Sequence, residues 1–149
     1  MANNEYSIFS SPIEVKNSPS SAKKVIYSDM FNDFVINPVT GDLAKKTNED
    51  AVKQSIRNLI LTGRGERPFQ PDVGSDIYQM LFENITPDTL NLLETMISET
   101  IENFEPRCEL VEVSVTSLVD SNDLNARIVF SLINSNNEIE LITPLTRAR

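Results

Sequence analysis

"TPDTLNLLETMISETIENFEPRCELVEVSVTS" (Thr86–Ser117) changes its period halfway along. Up to Phe104 the apolar residues recur at helical spacing: Leu90, Leu93, Ile97, Ile101 and Phe104, with Asn91, Glu94, Ser98 and Glu102 on the opposite, watered face. Thr86 suits an N-cap, Pro87 the first helical position, and Asp88 the positive end of the helix dipole. Pro106 cannot continue a helix and pushes Glu105 toward an extended conformation. Beyond it the period falls to two, with Val111, Val113 and Val115 on one face and Glu112, Ser114 and Thr116 on the other. The tripeptide Glu105-Pro106-Arg107 therefore stands where helix gives way to sheet.

Two more runs follow. "LNARIVFSLI" (124–133) alternates through Leu124, Ala126, Ile128, Phe130 and Leu132, and "EIELITPL" (138–145) is a third strand whose Pro144 marks an edge or an end. The polar stretches "DSND" and "NSNN" between them are turns, so the three strands form an antiparallel meander. Upstream, "TNEDAVKQSIRNLILTG" (47–63) predicts a helix capped by Thr47 or Asn48, with Val52, Ile56, Leu59 and Ile60 as its apolar stripe and Gly63 as a left-handed stop. "GSDIYQMLFE" (74–83) predicts a short helix with Ser75 as N-cap and Ile77, Met80 and Leu81 inward. "NPVTGD" (37–42) is a turn between two short extended segments. Helices followed by strands make an α+β fold, with helices packed on a small antiparallel β meander in a single domain. Residues 1–24 read as an N-terminal arm rich in Asn, Ser and Pro, and residues 25–149 as the domain.

The bulk numbers bound the function. The chain has 149 residues, 40% hydrophobic and 23% charged, and no Trp, which suits one aliphatic core. Thirteen cationic against 22 acidic residues leave a formal charge of -9, which disfavours nucleic acid and anionic membranes as partners. No apolar run is long enough to span a bilayer, and the first residues lack the pattern of a signal peptide. The single Cys108 makes no internal disulfide and points to an intracellular folding compartment. "NIT" at Asn84 matches a glycosylation acceptor but has no secretory context.

The chemistry narrows further. With no His, Ser-His-Asp and Cys-His catalysis and HExxH zinc sites are excluded, and one Cys excludes a thiolate cluster; no metal or other cofactor is expected. Cys108 reads as a small, partly buried apolar residue, since Arg107 is the one cation beside it to lower its pKa. "GRGERP" begins like a dinucleotide fingerprint but has Pro68 where the third glycine belongs and follows a helix. A carboxylate glycosidase survives this filter, drawing on Glu66, Asp72, Asp76, Glu83 or Glu105, but Arg neighbours favour the ionised forms of Glu66 and Glu105.

"LTGRGERPFQPDVGSDIYQMLFE" (61–83) holds three of the four glycines and two prolines. It reads as an ordered connector, bent at Gly63, Gly65 and Gly74, stiffened at Pro68 and Pro71, and pinned to the core by Phe69 and Phe82. It also reads as a rigid loop presenting Arg64 or Arg67 to a partner. Glu105 and Arg107 have the same two readings, a salt bridge within the fold or a contact between subunits.

The helix, "GERPF-P--G" (65–74), "LFE" (81–83), "EPR" (105–107) and the meander, in that order, resemble the lysozyme-like baseplate wedge proteins of contractile-tailed phages, also called sheath initiators. The bacterial type VI secretion baseplate has a related subunit, but "NPVTGDL" resembles the phage branch more. The resemblance covers about residues 29–145. It implies a structural protein of the virion tail baseplate, assembled in the host cytoplasm, with no catalytic residue. The implied partners are other wedge subunits, tail sheath, and tail tube or hub proteins. It places Glu105, Pro106 and Arg107 at the contact with the wedge core bundle, and matches Gly65, Glu66, Arg67 and Pro68 to the family's turn. The third strand, through Ile139, Leu141 and Ile142, offers an edge for pairing with a partner strand, and Arg147 and Arg149 form a basic tip.

Overall fold

The computed structural model of the chain describes residues 25–117, 123–133, 135 and 137–146. The elements run β1 (Ser28–Met30), β2 (Lys45–Thr47), α1 (Glu49–Leu61), α2 (Ile77–Met80), α3 (Pro87–Phe104), β3 (Cys108–Ser117), β4 (Leu124–Leu132) and β5 (Glu138–Leu145). β3, β4 and β5 form an antiparallel meander in that order; β1 and β2 form a separate antiparallel hairpin. The helices lie on one face of the meander, which is the α+β arrangement expected.

The core lies between that face and the helices. Val52, Ile56 and Ile60 of α1, Ile77 of α2, and Leu93, Ile97 and Ile101 of α3 meet Leu124, Ala126, Ile128, Phe130 and Leu132 of β4. All five alternating β4 residues are buried, and Val129 on the opposite face is nearly so, as befits a central strand. Thr86 caps α3 as its sequence requires, accepting from the Thr89 backbone N–H at 3.2 Å. Leu90 is half-buried against the core and Phe104 is half-exposed, so the fully buried stripe of α3 is shorter than its apolar pattern.

Several local expectations are corrected. Val111 is not on the inner face: the register shifts between Leu110 and Glu112, a β-bulge that leaves Val111 more than half exposed and makes Leu110, Val113 and Val115 the inward residues. Glu94 is not simply in water: its Oε1 accepts from the Val115 backbone N–H at 2.8 Å, so a helix carboxylate covers a strand donor. Asn48 is the N-cap of α1, but its side chain does not cap the helix; Oδ1 accepts from the Ile26 and Tyr27 backbones at 2.8 and 3.3 Å. Ser75 likewise does not cap α2; its hydroxyl donates to the Ile60 carbonyl at 2.7 Å, 15 residues upstream. Residues 120–122 of the "DSND" turn and the basic tip at Arg147 and Arg149 lie outside the described residues, as does the 1–24 arm.

The hairpin is seated by polar groups rather than by the core. Asn37 donates to the Asp42 carbonyl (2.8 Å) and Gly41, at φ 69°, donates to the Asn37 carbonyl (2.9 Å), closing the "NPVTGD" turn. Gln54 of α1 donates to the Met30 carbonyl at 2.7 Å, and Asn32 and Asn58 exchange side-chain hydrogen bonds. Phe34, Val35, Ile36 and Val39 at the hairpin's end are exposed.

Phe130 is completely buried and Val111 is not. Phe130→Ala is expected to destabilise the fold by about 3–5 kcal/mol, and Val111→Ala by less than about 0.5 kcal/mol, in urea unfolding.

Candidate functional site

Three structures carry the residues singled out in the sequence. The first is a clamp. Arg107 donates from Nε to Glu105 Oε1 (2.6 Å) and from Nη2 to Glu105 Oε2 (2.9 Å), a bidentate fork. Its Nη1 donates to both Asp29 carboxylate oxygens (3.2 and 3.0 Å), and the guanidinium lies 5.8 Å from the Tyr27 ring centroid. Proline supplies the geometry: it ends α3 with Glu105 as the C-cap, so the acid and the arginine, which would diverge by about 200° on a continued helix, turn toward each other at the junction.

Glu105 is 2% exposed. Burial pushes its carboxyl up, but hydrogen bonds from Arg107 and Ser55, together with the arginine's charge, outweigh it and hold the pKa below the ordinary 4.5. The Glu105 fork pushes Arg107 further above its already high value, with Asp29 assisting. The Cys108 thiol, next in sequence, is pushed up to about 12 by burial and by the Glu105 carboxylate, so it stays protonated at neutral pH and is no nucleophile.

Glu105 and Arg107 therefore meet inside the fold. They tie the α3–β3 junction to β1 through Asp29, and to α1 through Ser55. Pro106 between them is exposed. Sequence reasoning missed Asp29, Tyr27 and Ser55. Asp29 lies 78 residues from Arg107 in a three-residue strand, and no local pattern marks such a partner.

The second structure is the loop between α1 and α2. It is closed at its neck: Ser75 N donates to the Thr62 carbonyl at 2.8 Å, and Gly63 and Ser75 form a parallel bridge. Inside, Gly65 N donates to the Pro71 carbonyl (2.9 Å), and the Gly63 N–H donates to Glu66 Oε2 (3.0 Å). Gly63 is not the left-handed stop predicted for α1, whose C-cap is Thr62 in an extended conformation. The left-handed positions are Gly65 (φ 83°) and Gly74 (φ 128°), and a Cβ on Gly74 would stand 2.5 Å from the Thr62 carbonyl.

Neither phenylalanine of this stretch pins it to the core. Phe82 is 63% exposed and Phe69 is wholly exposed, at φ 70°, an unusual backbone for a bulky residue. Arg67 and Pro68 are exposed beside Phe69, and Arg64 reaches Asp76 at 3.5 Å. No hydrogen bond or ion pair joins this loop to the clamp among the described residues.

The third candidate, β5, splits by face. Ile139 and Leu141 point into the core, whereas Ile142 is 56% exposed. Beyond β4, β5 has no strand neighbour among the described residues. The other edge strand, β3, is covered by α3 and by Glu94.

Residues 46–137 match the family model described as baseplate wedge protein gp25. This chain belongs to that family. The baseplate wedge protein gp25 of Enterobacteria phage T4 is 36% identical over 101 residues, spanning 68% of this chain and 76% of that protein. Among solved structures, one named as a tail lysozyme from Geobacter sulfurreducens is 30% identical with a TM-score of 0.63, covering 68% of this chain and 92% of its own. A chain of the anti-feeding prophage baseplate is 29% identical with a TM-score of 0.65, covering 74% and 89%. As a family member the chain is a structural subunit of a contractile-tail baseplate. The match begins at Lys46 and so takes in α1, the loop, α3 and the clamp's Glu105 and Arg107, but leaves out Asp29.

Removing one partner strands the others in a partly buried site. Arg107→Met is expected to cost about 3–5 kcal/mol in chemical unfolding, and Arg127→Met on the exposed sheet face to cost far less, since solvent screens its pairs. Because the folded pKa of Glu105 is depressed, its stabilisation is complete above about pH 4.5 and is lost as pH falls through the folded value. Thermal melts should therefore show Glu105→Gln less stable than wild type at pH 7, with a shallower fall in acid.

Proposed function

We propose that this chain works by rigid docking within the baseplate, without catalysis, and that it begins sheath polymerisation by offering the outer edge of β5 to a sheath subunit. The observation that carries this reading is the asymmetry of the sheet. One edge is covered by α3 while the other has no strand neighbour among the described residues, and its outward Ile142 is exposed. An open edge takes a partner strand through main-chain hydrogen bonds, with alternate side chains giving specificity. Ile139 and Leu141 contribute by fixing the strand in place from below, and Ile142 by meeting the partner.

The α1–α2 loop gives a second contact, toward the neighbouring wedge subunits and the tube or hub. An aromatic residue held at full exposure by a hydrogen-bonded loop loses little entropy on docking, and such residues dominate interface energies. Phe69, flanked by Arg67 and Pro68, has that form. The contact expected at Glu105-Pro106-Arg107 narrows to Pro106 and the outer edge of Arg107, since Glu105 is consumed within the fold.

Against a peptidoglycan glycosidase stands the state of Glu105, the buried acid among its five candidates. A glycosidase acid needs a raised pKa in an apolar pocket, and the Glu105 carboxyl is held low by an arginine. A type VI secretion subunit is disfavoured by the 36% identity to a phage wedge protein. The place of action that follows is the virion tail, after assembly in the host cytoplasm.

Complementation with Ile142→Asp, imaged by electron microscopy, is the test. The expected particles have baseplates and tubes without sheath, from a subunit that melts near the wild-type temperature. Normal sheathed tails would remove β5 as the sheath contact. Clearing of cell walls by the purified chain, abolished by a single Glu→Gln change, would restore the enzyme.

A further inference from the structure

Opposite in sign to the chain as a whole is one groove between the hairpin, α1 and β5. Its volume is about 420 Å³, and its walls are Phe31, Lys45, Lys46 and Thr47 from the hairpin side, Asp50, Lys53, Gln54 and Arg57 from α1, and Leu141 from β5. Residues 50, 53, 54 and 57 lie at one-turn spacings, so they share a face of α1. Half of the eight lysines and arginines among the described residues line this groove, in a chain of net charge -9.

These cations are little used by the fold. Lys45 reaches Asp42 only at 4.0 Å, with both side chains exposed, and Lys46 lies 4.9 Å from the Phe31 ring centroid. Lys53 and Arg57 take part in no ion pair among the described residues. Asp50 is the one acid in the wall. Holding four cations together against one acid costs electrostatic energy in the free subunit, and a bound anion would relieve it.

We propose that this groove is a docking site for an acidic, partly apolar peptide segment of a neighbouring baseplate subunit. That the neighbour is a baseplate subunit rests on the reading above; the chemistry of the groove does not. Carboxylates of the segment meet Lys53 and Arg57, and its apolar side chains rest on the half-buried Phe31. A peptide is favoured over nucleic acid because a long polyanion leaving the groove must cross an acidic surface, whereas a short segment ends within it. The docking is electrostatically steered and weakens with salt.

Fluorescence anisotropy on the full chain tests this, with a fluorescein-labelled peptide of alternating glutamate and leucine as probe. Wild type is expected to bind it, and Lys53→Glu/Arg57→Glu to bind about tenfold or more weakly. Should that variant melt early, Lys53→Gln/Arg57→Gln carries the same comparison. No binding by wild type, or equal binding by a folded variant, overturns the proposal; so does an oligothymidylate of equal charge that binds as tightly. In infected cells the double variant should fail to build baseplates. Normal baseplates from it would sink the groove and leave the baseplate assignment standing, whereas intact baseplates after deletion of the gene would sink the assignment itself.

Discussion

The five donors of one guanidinium organise this fold. Arg107 spends two on Glu105 and directs a third at Asp29, and those acids belong to parts of the chain with no shared core. The meander and α3 are held by apolar packing, and so is α1. The β1–β2 hairpin is not: it has three-residue strands and an exposed apolar end, and an isolated hairpin of that size is marginal in water. Its position comes from polar contacts, among which the Asp29 pair is the one made to a buried charge network. Such a network is worth little against a hydrophobic replacement but a great deal against loss of one member. It fixes geometry more than it adds stability, which suits a structural subunit of a larger assembly.

The three surfaces proposed for docking use different physics. The α1–α2 loop is rigid because its own backbone hydrogen bonds close it and Gly74 lets its neck pass against the Thr62 carbonyl. β5 is available because the sheet ends there, while the opposite edge is blocked by a helix and a bulge. The groove is defined by charge. An acidic exterior keeps free subunits apart, and a confined basic site then selects where an acidic partner can land.

Much of this was legible in the sequence, and what was not has a common cause. Apolar periodicity located α1, α3 and all three meander strands, because burial on one face imposes that period directly. Thr86 was legible as a cap because its partner, Thr89, lies three residues away. Ser75 and Asn48 were misread by the same rule, since each sends its side chain to a strand or helix end distant in sequence. Val111 was misplaced because a bulge shifts the alternation by one residue without any residue type that announces it. Phe69 and Phe82 were assigned to the core on hydrophobicity alone, and hydrophobicity does not say which aromatic a loop leaves at the surface. At the clamp, the Glu105–Arg107 fork was one of two open readings, while Asp29 had no signal at all.

The clamp also bears on how a tripeptide whose charges are engaged within the fold can matter for assembly. Asp29 and Lys46 are partners in the β1–β2 ladder. Arg107, by holding Asp29, therefore also sets where Lys46 stands, and Lys46 is part of the groove wall with Lys45 and Thr47. Asp29 and Lys46 face each other in that register, so a shift at Asp29 moves Lys46 at the groove wall. On the docking proposed for the groove, Glu105-Pro106-Arg107 governs a surface it does not touch. A change there alters the spacing between cations of the hairpin and those of α1, and a peptide that bridges both would sense the change even with every groove residue intact.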